Sequence, residues 1–107
     1  MKRGSMIWVD LSDAFPPEMG KVRPAVVISN AVLNTRLDTV VVVPLSTQKG
    51  EIWPLRIKVM TTGSKPSFAV IPGIRQASKA RLRDVIGVLP TRDLSRLEQA
   101  VRDYLSD

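Results

Sequence analysis

The chain has 107 residues, of which 44% are hydrophobic and 24% charged; this is the size and composition of one globular domain and excludes a disordered chain. It has no histidine and no cysteine, so disulfides, thiolate zinc sites and imidazole or thiol catalysis are excluded. The formal charge of +6, from 16 basic and 10 acidic residues, points to a polyanionic partner, with nucleic acid and an acidic protein as the two candidates.

We expect a single domain over residues 1–107, located in the cytoplasm. No apolar segment reaches the roughly 18 residues of a membrane helix. The first residues lack the long apolar core of a signal peptide. Composition alone leaves carboxylate-bound Mg²⁺ open.

The first half of the chain predicts three strands, over residues 6–11, 23–29 and 39–45. The second and third each contain four consecutive apolar residues, which indicates neighbouring central strands that are buried on both faces. Between the first and second strands, Pro16-Pro17 and Gly20 break regular structure and predict a long loop. Residues 31–38 connect the second strand to the third, with room for one helical turn.

The second half predicts three further strands, over residues 53–60, 67–71 and 85–89. The first of these alternates apolar with basic side chains and is therefore expected to be half-exposed. A turn that contains Gly63 is predicted over residues 61–66, and Pro72-Gly73 ends the buried strand that follows it.

Residues 91–107 predict an amphipathic helix. Thr91 is expected to cap its N-terminus, and Asp93 to interact favourably with the helix dipole. The apolar stripe that packs the helix on the sheet or on a second subunit consists of Leu94, Leu97, Val101, Tyr104 and Leu105. Short strands in meander order with one late helix predict a mainly β (α+β) fold, a small and strongly curved β-barrel with a C-terminal α-helix.

The dipeptide Arg23-Pro24 places a cation at the start of a buried strand. Proline gives no N–H to a sheet and favours an extended preceding residue, so Arg23 should begin the strand. If the second and third strands pair antiparallel, the register that joins Arg23 to Ser46 also joins Val26 to Val43 and aligns both apolar runs. The guanidinium and the hydroxyl would then share one end of the sheet.

Four groups of residues, in order, give the chain a resemblance to the MazF/PemK/Kid family of toxin endoribonucleases. They are Lys2-Arg3-Gly4 with Trp8-Val9-Asp10-Leu11; Gly20-Lys21-Val22-Arg23-Pro24-Ala25-Val26-Val27; Val43-Pro44-Leu45-Ser46-Thr47; and Ile74-Arg75 with Lys79-Ala80-Arg81-Leu82. No single group is specific, but together they span nearly the whole chain. The final helix fits as well, because members of this family end in a helix packed against an SH3-like barrel.

The resemblance implies a homodimer that cuts single-stranded RNA without a metal or other cofactor. The ribose 2′-hydroxyl would be the nucleophile, and the products would carry a 2′,3′-cyclic phosphate and a 5′-hydroxyl. An acidic, partly disordered antitoxin would inhibit the enzyme by lying in its basic groove.

The family's arginine–proline motif maps onto Arg23, and the hydroxyl residue after the third strand maps onto Ser46, where the family usually has threonine. Arg23 would stabilise the phosphorane and protonate the leaving 5′-oxygen. Ser46, with Thr47 beside it, would donate to a phosphate oxygen. The alternatives are a surface arginine paired with Glu18 and a turn hydroxyl that bonds local backbone.

Further RNA contacts are expected at Arg75, which matches another basic position of the family, and at residues that carry charge or rings. Lys49, Lys79 and Arg81 are candidates for phosphate contacts, and Phe15 and Trp53 for base stacking. Ordinary charged surface is the alternative for the cations, and a core or lid position is the alternative for the two rings.

The chain also departs from the family. Pro72-Gly73 stands where an acidic residue or glutamine is common, and Ser78 stands where an aspartate is common. Cleavage specificity therefore does not carry over, and a mechanism that needs a carboxylate base must use Glu18, Asp13 or another loop acid.

Two other function classes remain open at this point. One is a gyrase inhibitor like the CcdB poisons, although this chain ends in Tyr104-Leu105-Ser106-Asp107 and lacks their tryptophan–glycine–isoleucine tail. The other is a catalytically silent SH3-like nucleic-acid-binding module, which would bind RNA in a salt-dependent way without cutting it.

Overall fold

The computed structural model describes residues 1–61 and 66–107. Its strands are β1 (Ser5–Asp10), β2 (Val22–Val27), β3 (Thr39–Ser46), β4 (Arg56–Met60), β5 (Pro66–Val70), β6 (Arg75–Ser78) and β7 (Leu82–Val88). Its α-helices are α1 (Ala31–Arg36) and α2 (Thr91–Leu105), and short 3₁₀ turns occupy Ile71–Gly73 and Lys79–Arg81. The turn predicted around Gly63 lies outside the described residues, apart from its two ends.

The seven strands form one curved antiparallel sheet in the order β4-β5-β3-β2-β1-β7, with β6 paired to β3. The first half of β3 pairs with β6 and its last two residues pair with β5, so β3 links two parts of the sheet that face different ways. Among the described residues no pairing joins the end strands β4 and β7. The predicted mainly β fold with a C-terminal helix is confirmed, but the sheet is open, and "barrel" describes only its curvature.

Two apolar clusters pack on the two faces of the sheet. Between the sheet and α2 lie Met6, Val26, Val43, Leu45, Ile57, Val59, Ala69, Ile71, Leu89, Leu97 and Ala100. The second cluster consists of Ile7, Val9, Leu11, Ala25, Val27, Val40, Val42 and Ala77. Because side chains alternate along a strand, each apolar run of β2 and β3 supplies both clusters, as the sequence predicted.

Several sequence predictions about local structure are wrong. β6 was not expected, because its segment Arg75–Ser78 contains a single apolar residue; it forms by pairing with β3. The meander order fails where β5, rather than β4, pairs with β3, and where β7 returns to β1.

The helix α2 also differs from the prediction at both ends. Thr91 is the first helical residue, not the cap; Pro90 precedes the helix and no side chain caps it. Asp93 accepts a hydrogen bond from the Met60 N–H at 2.9 Å and so ties the first turn to β4. Tyr104 and Leu105 are exposed. No helix among the described residues is long and apolar enough to cross a membrane.

Side chains cover the outer edge of β4, which is an end strand of the sheet. Glu51 accepts from the Lys58 N–H at 2.7 Å, and Arg96 donates to the Lys58 carbonyl at 3.5 Å. Arg96 also pairs with Glu51 at 3.1 Å. The backbone hydrogen bond from Lys58, with a smaller effect of Arg96, lowers the pKa of the Glu51 carboxyl.

Candidate active site

The predicted register of β2 and β3 is confirmed. Val26 pairs with Val43 and Ala25 with Pro44, and the same register carried to the ends of the strands sets Arg23 opposite Ser46. Alternation places both of these residues on the sheet face that carries the second apolar cluster. Arg23 and Ser46 therefore lie at one rim of that face.

The Arg23 side chain is held by backbone rather than by a carboxylate. Its Nε donates to the Gly20 carbonyl at 2.7 Å, and Arg23 is partly buried where β2 pairs with β1. Among the described residues it has no ion pair, and Glu18 instead accepts from the Phe15 N–H at 2.7 Å. The expected alternative, pairing with Glu18, is thus not found, and the terminal guanidinium nitrogens stay available for an anion.

Ser46 makes the local bond that was expected as the alternative to catalysis. Its Oγ accepts from the Gln48 N–H at 3.1 Å. A hydroxyl that accepts in this way still has its own proton to donate. The local bond therefore fixes the Oγ of Ser46 and leaves it able to donate to a bound anion.

The β1–β2 loop contains Gly20, which holds the Arg23 side chain, and is closed by backbone hydrogen bonds. Leu11 N–H donates to the Lys21 carbonyl at 2.8 Å, and Lys21 adopts the left-handed conformation with φ of 69°. Phe15 projects from this loop with 79% of its surface exposed, as a stacking residue requires. Phe15 is therefore not a core residue.

A cavity of about 400 Å³ separates this loop from the start of β6. It is lined by Asp13, Ala14, Glu18, Met19, Pro72, Gly73, Ile74, Arg75 and Gln76. One lining residue, Met19, precedes Gly20, whose carbonyl accepts from the Arg23 side chain. Both loop acids proposed as bases, Asp13 and Glu18, therefore border the cavity.

Arg75 and Arg81 both meet Asp13. Arg81 Nη2 lies 2.7 Å from Asp13 Oδ2, and Arg75 Nη1 lies 3.5 Å from Asp13 Oδ1. Arg75 is paired with Val42, so it shares the sheet face of Ser46, four residues or about 13 Å away along β3. The structure thus brings Arg75 and Arg81 to the side of the candidate site.

Asp10, at the start of the same loop, is held as a charged group. It accepts from both the backbone N–H and the hydroxyl of Ser12, and it pairs with Arg83 at 3.4 Å. The Ser12 hydrogen bonds, with smaller effects of Arg83 and Arg81, lower the pKa of the Asp10 carboxyl. Among the described residues no group of three or more acids is placed to hold a metal ion.

Thr47 and Lys49 line a second cavity, of about 710 Å³, which Pro24, the residue after Arg23, also lines. The other lining residues are Trp8, Pro24, Thr61, Pro66, Ser67, Phe68 and Ile86. Trp8 is 41% exposed here, and sequence reasoning missed it as a site residue.

Two further candidates lie away from Arg23. Lys79 follows Ser78, which pairs with Thr39 at the opposite end of β3 from Ser46. Trp53 donates from Nε1 to Asp103 of α2 at 2.9 Å. Neither residue is brought together with the candidate site.

One of the two departures from the family pattern, at Gly73, has a local steric reason. A Cβ added to Gly73 would lie 2.6 Å from Cγ of Pro44, so the acidic or amide side chain common at this position does not fit here. Ser78 Oγ accepts from the Ala80 N–H at 3.2 Å and caps the 3₁₀ turn, which an aspartate also does well.

The sequence profile of the PemK-like, MazF-like toxins of type II toxin–antitoxin systems matches residues 2–105. The chain is 33% identical to endoribonuclease MazF9 of Mycobacterium tuberculosis (strain ATCC 25618 / H37Rv), over 98% of this chain and 96% of that protein. It is 28% identical to endoribonuclease EndoA of Bacillus subtilis (strain 168), over 99% and 95% of the two chains.

Solved structures agree with the fold. A crystal structure of MazF from Deinococcus radiodurans superposes with a TM-score of 0.85 at 17% identity, over 98% of this chain and 96% of that one. A mycobacterial endoribonuclease in complex with its cognate antitoxin superposes with a TM-score of 0.81 at 21% identity, over 98% and 94%.

Proposed function

The chain belongs to the family of PemK-like, MazF-like toxins of type II toxin–antitoxin systems, and on that premise we propose that it is an endoribonuclease toxin that cuts single-stranded RNA. The observation that carries the proposal is the β2–β3 register, in which Val26 pairs with Val43 and Ala25 with Pro44. Extended by two residues, it supports a site shared by Arg23 and Ser46. The two curated relatives, both named endoribonucleases, support the same activity.

The reaction we propose uses the RNA's own 2′-hydroxyl as nucleophile. Attack on the adjacent phosphorus forms a 2′,3′-cyclic phosphate and expels the 5′-oxygen, which leaves as a 5′-hydroxyl after it takes up a proton. This chemistry needs a cation for the phosphorane, a proton donor and a base, and it needs no metal or other cofactor.

Arg23 would supply the cation and the proton donor. Its Nε donates to the Gly20 carbonyl, and its two terminal nitrogens would donate to two phosphate oxygens. Ser46 would donate its hydroxyl proton to a non-bridging oxygen. Thr47, which lines the neighbouring cavity with Lys49, would contact the RNA next to the cleaved bond rather than at it.

Glu18 is the loop carboxylate best placed to act as the base. It borders the cavity of about 400 Å³, and one of its oxygens accepts from the Phe15 N–H while the other is free of ion pairs among the described residues. Asp13 is already engaged by Arg75 and Arg81.

We propose as well that the protein acts in the cytoplasm as a homodimer and is inhibited by an acidic antitoxin. Support comes from the net charge of +6 and from the structural neighbours that contain a cognate antitoxin. The family match also disfavours the CcdB-like alternative.

Incubation of the protein with a long single-stranded RNA in EDTA tests the activity. We expect fragments with 2′,3′-cyclic phosphate ends. Arg23→Ala should lower the cleavage rate by about 100- to 1,000-fold, because it removes the main stabiliser of the developing charge. Arg36→Ala is the matched control, since Arg36 is an exposed arginine of α1 and its loss changes the net charge equally.

Cleavage at the wild-type rate by a folded Arg23→Ala protein would remove Arg23 from the mechanism. RNA binding by the wild-type protein without any cleavage would instead favour the silent binding module. Ser46→Thr should retain activity and Ser46→Ala should lose about 10- to 100-fold, because only the first keeps the hydroxyl donor.

A further inference from the structure

Two arginines from different parts of the chain hold one aspartate of the β1–β2 loop. Arg81 faces one oxygen of the Asp13 carboxylate at 2.7 Å, and Arg75 faces the other at 3.5 Å. Two non-bridging oxygens of a phosphodiester present the same pair of acceptors to two guanidinium groups. We propose that Arg75 and Arg81 form a site for an RNA phosphate, and that Asp13 occupies this site in the free protein.

The two arginines keep their positions without Asp13. Arg75 Nε donates to the Gln76 carbonyl at 3.0 Å, and Arg81 Nη1 donates to the Asp10 carbonyl at 3.3 Å. Backbone on β6 and at the end of β1 therefore orients both guanidinium groups. A departing carboxylate would leave behind a preformed anion site.

Asp13, by contrast, is easily displaced. It lies on a loop rather than on the sheet, and 47% of its side chain is exposed. The side chains of Arg75 and Arg81 are each 31% exposed, and ion pairs this open to solvent contribute little net stability. An RNA phosphate competes favourably with Asp13 for the two arginines, because the rest of the RNA chain makes further contacts with the protein.

The place of the pair favours RNA over an acidic protein as the ligand. Arg75 shares the sheet face of Arg23 and Ser46, and about 13 Å along β3 separates it from Ser46. It would therefore bind a neighbouring phosphate and not the one that is cleaved. This assignment rests on the function proposed above.

Displacement of Asp13 would also free the loop that carries Phe15 and Glu18. Entry of RNA at the arginine pair is thereby coupled to the position of a stacking ring and of the candidate base. Asp13 is thus a competitor built into the chain, which lowers RNA affinity in the free state.

Equilibrium binding of a short fluorescent 2′-O-methyl RNA tests the proposal. This probe cannot be cut, because its nucleophilic hydroxyl is blocked. Asp13→Asn should tighten binding about three- to fivefold at low salt, as expected for the loss of a competing exposed ion pair. The log–log slope against salt should change little, because the complexes of both proteins contain the same phosphate contact.

Asp84→Asn is the matched control. It makes the same change in net charge at an exposed residue of β7 that forms no ion pair with Arg75 or Arg81. We expect it to tighten binding less than twofold. In an Arg75→Gln/Arg81→Gln protein, Asp13→Asn should have no effect, because its two partners are gone.

Three results would overturn the proposal: equal effects of Asp13→Asn and Asp84→Asn, weaker binding by Asp13→Asn, or an Asp13→Asn effect that persists without the two arginines. Tighter binding of poly-glutamate with unchanged RNA affinity would also overturn it and assign the pair to an acidic protein. Absence of RNA binding by the wild-type protein is a separate result, which would refute the function proposed above.

Discussion

Replacing Gly73 by alanine should destabilise the protein through one contact. The added Cβ would lie 2.6 Å from Cγ and 3.2 Å from Cδ of Pro44. Carbon atoms pack best at about 3.5–4.0 Å, so one of the two must move by about 1 Å. Pro44 is buried in β3, and its ring cannot rotate away as a flexible side chain would.

The expected cost is that of overpacking a well-packed site, about 1–3 kcal/mol. Alanine restricts the unfolded chain more than glycine does, which offsets about 0.4–1 kcal/mol, so a net loss of roughly 1–2 kcal/mol is expected. For a domain of this size that corresponds to a drop in Tm of about 5–15 °C.

Urea unfolding followed by tryptophan fluorescence measures this effect. Gly20→Ala is the matched control, because its Cβ would meet only ordinary contacts, with Leu11 O at 3.6 Å and Cβ of Ala14 at 3.8 Å. It should match or exceed the wild-type stability. If the Gly73→Ala protein were as stable as the Gly20→Ala protein, β3 would be able to shift at Pro44 at no cost. The steric reason for glycine at position 73 would then be wrong.

Asn34→Ala should destabilise the fold by about 1–3 kcal/mol in urea unfolding, because the buried Asn34 amide forms hydrogen bonds with both the hydroxyl and the carbonyl of Ser29. Thr35→Ala, at an exposed neighbouring residue, is the control. Equal effects of the two substitutions would contradict the role of the buried amide. The pKa values of Asp10 and Glu51 are lowered in the folded state from the ordinary values of 3.8 and 4.5. These carboxylates therefore stabilise the protein when the pH is above the ordinary pKa values, and this stabilisation is lost as the pH falls through the lowered pKa values. Urea midpoints measured from pH 6 down to pH 3 should therefore fall less steeply in Glu51→Gln and Asp10→Asn, whereas unchanged slopes would refute this account.

The sequence was enough to predict the central strands, because their signal lies in their own residues. The four-residue apolar runs of β2 and β3 indicate strands that are buried on both faces. One antiparallel register aligns the two runs along their whole length. The predicted pairing of Val26 with Val43 is the one that the structure has. The C-terminal helix was predicted from its 3.6-residue periodicity for the same reason.

Predictions failed where tertiary partners decide the outcome. The segment of β6 has almost no strand signal of its own and is extended because β3 offers an edge. Thr47 follows Ser46 directly in the sequence, yet the turn after β3 directs it to the neighbouring cavity with Trp8. The contacts of Asp13 with two arginines join residues more than 60 positions apart, and no local pattern reports such pairs.

The side chains that cover β4 have a consequence for how the protein behaves at high concentration. An uncovered end strand invites the strand of another molecule to extend the sheet, which is a common start of polymerisation. Here Glu51 and Asp93 already take the outward N–H groups of Lys58 and Met60. These two N–H groups are thereby unavailable to the strand of another molecule, which disfavours polymerisation through this border of the sheet.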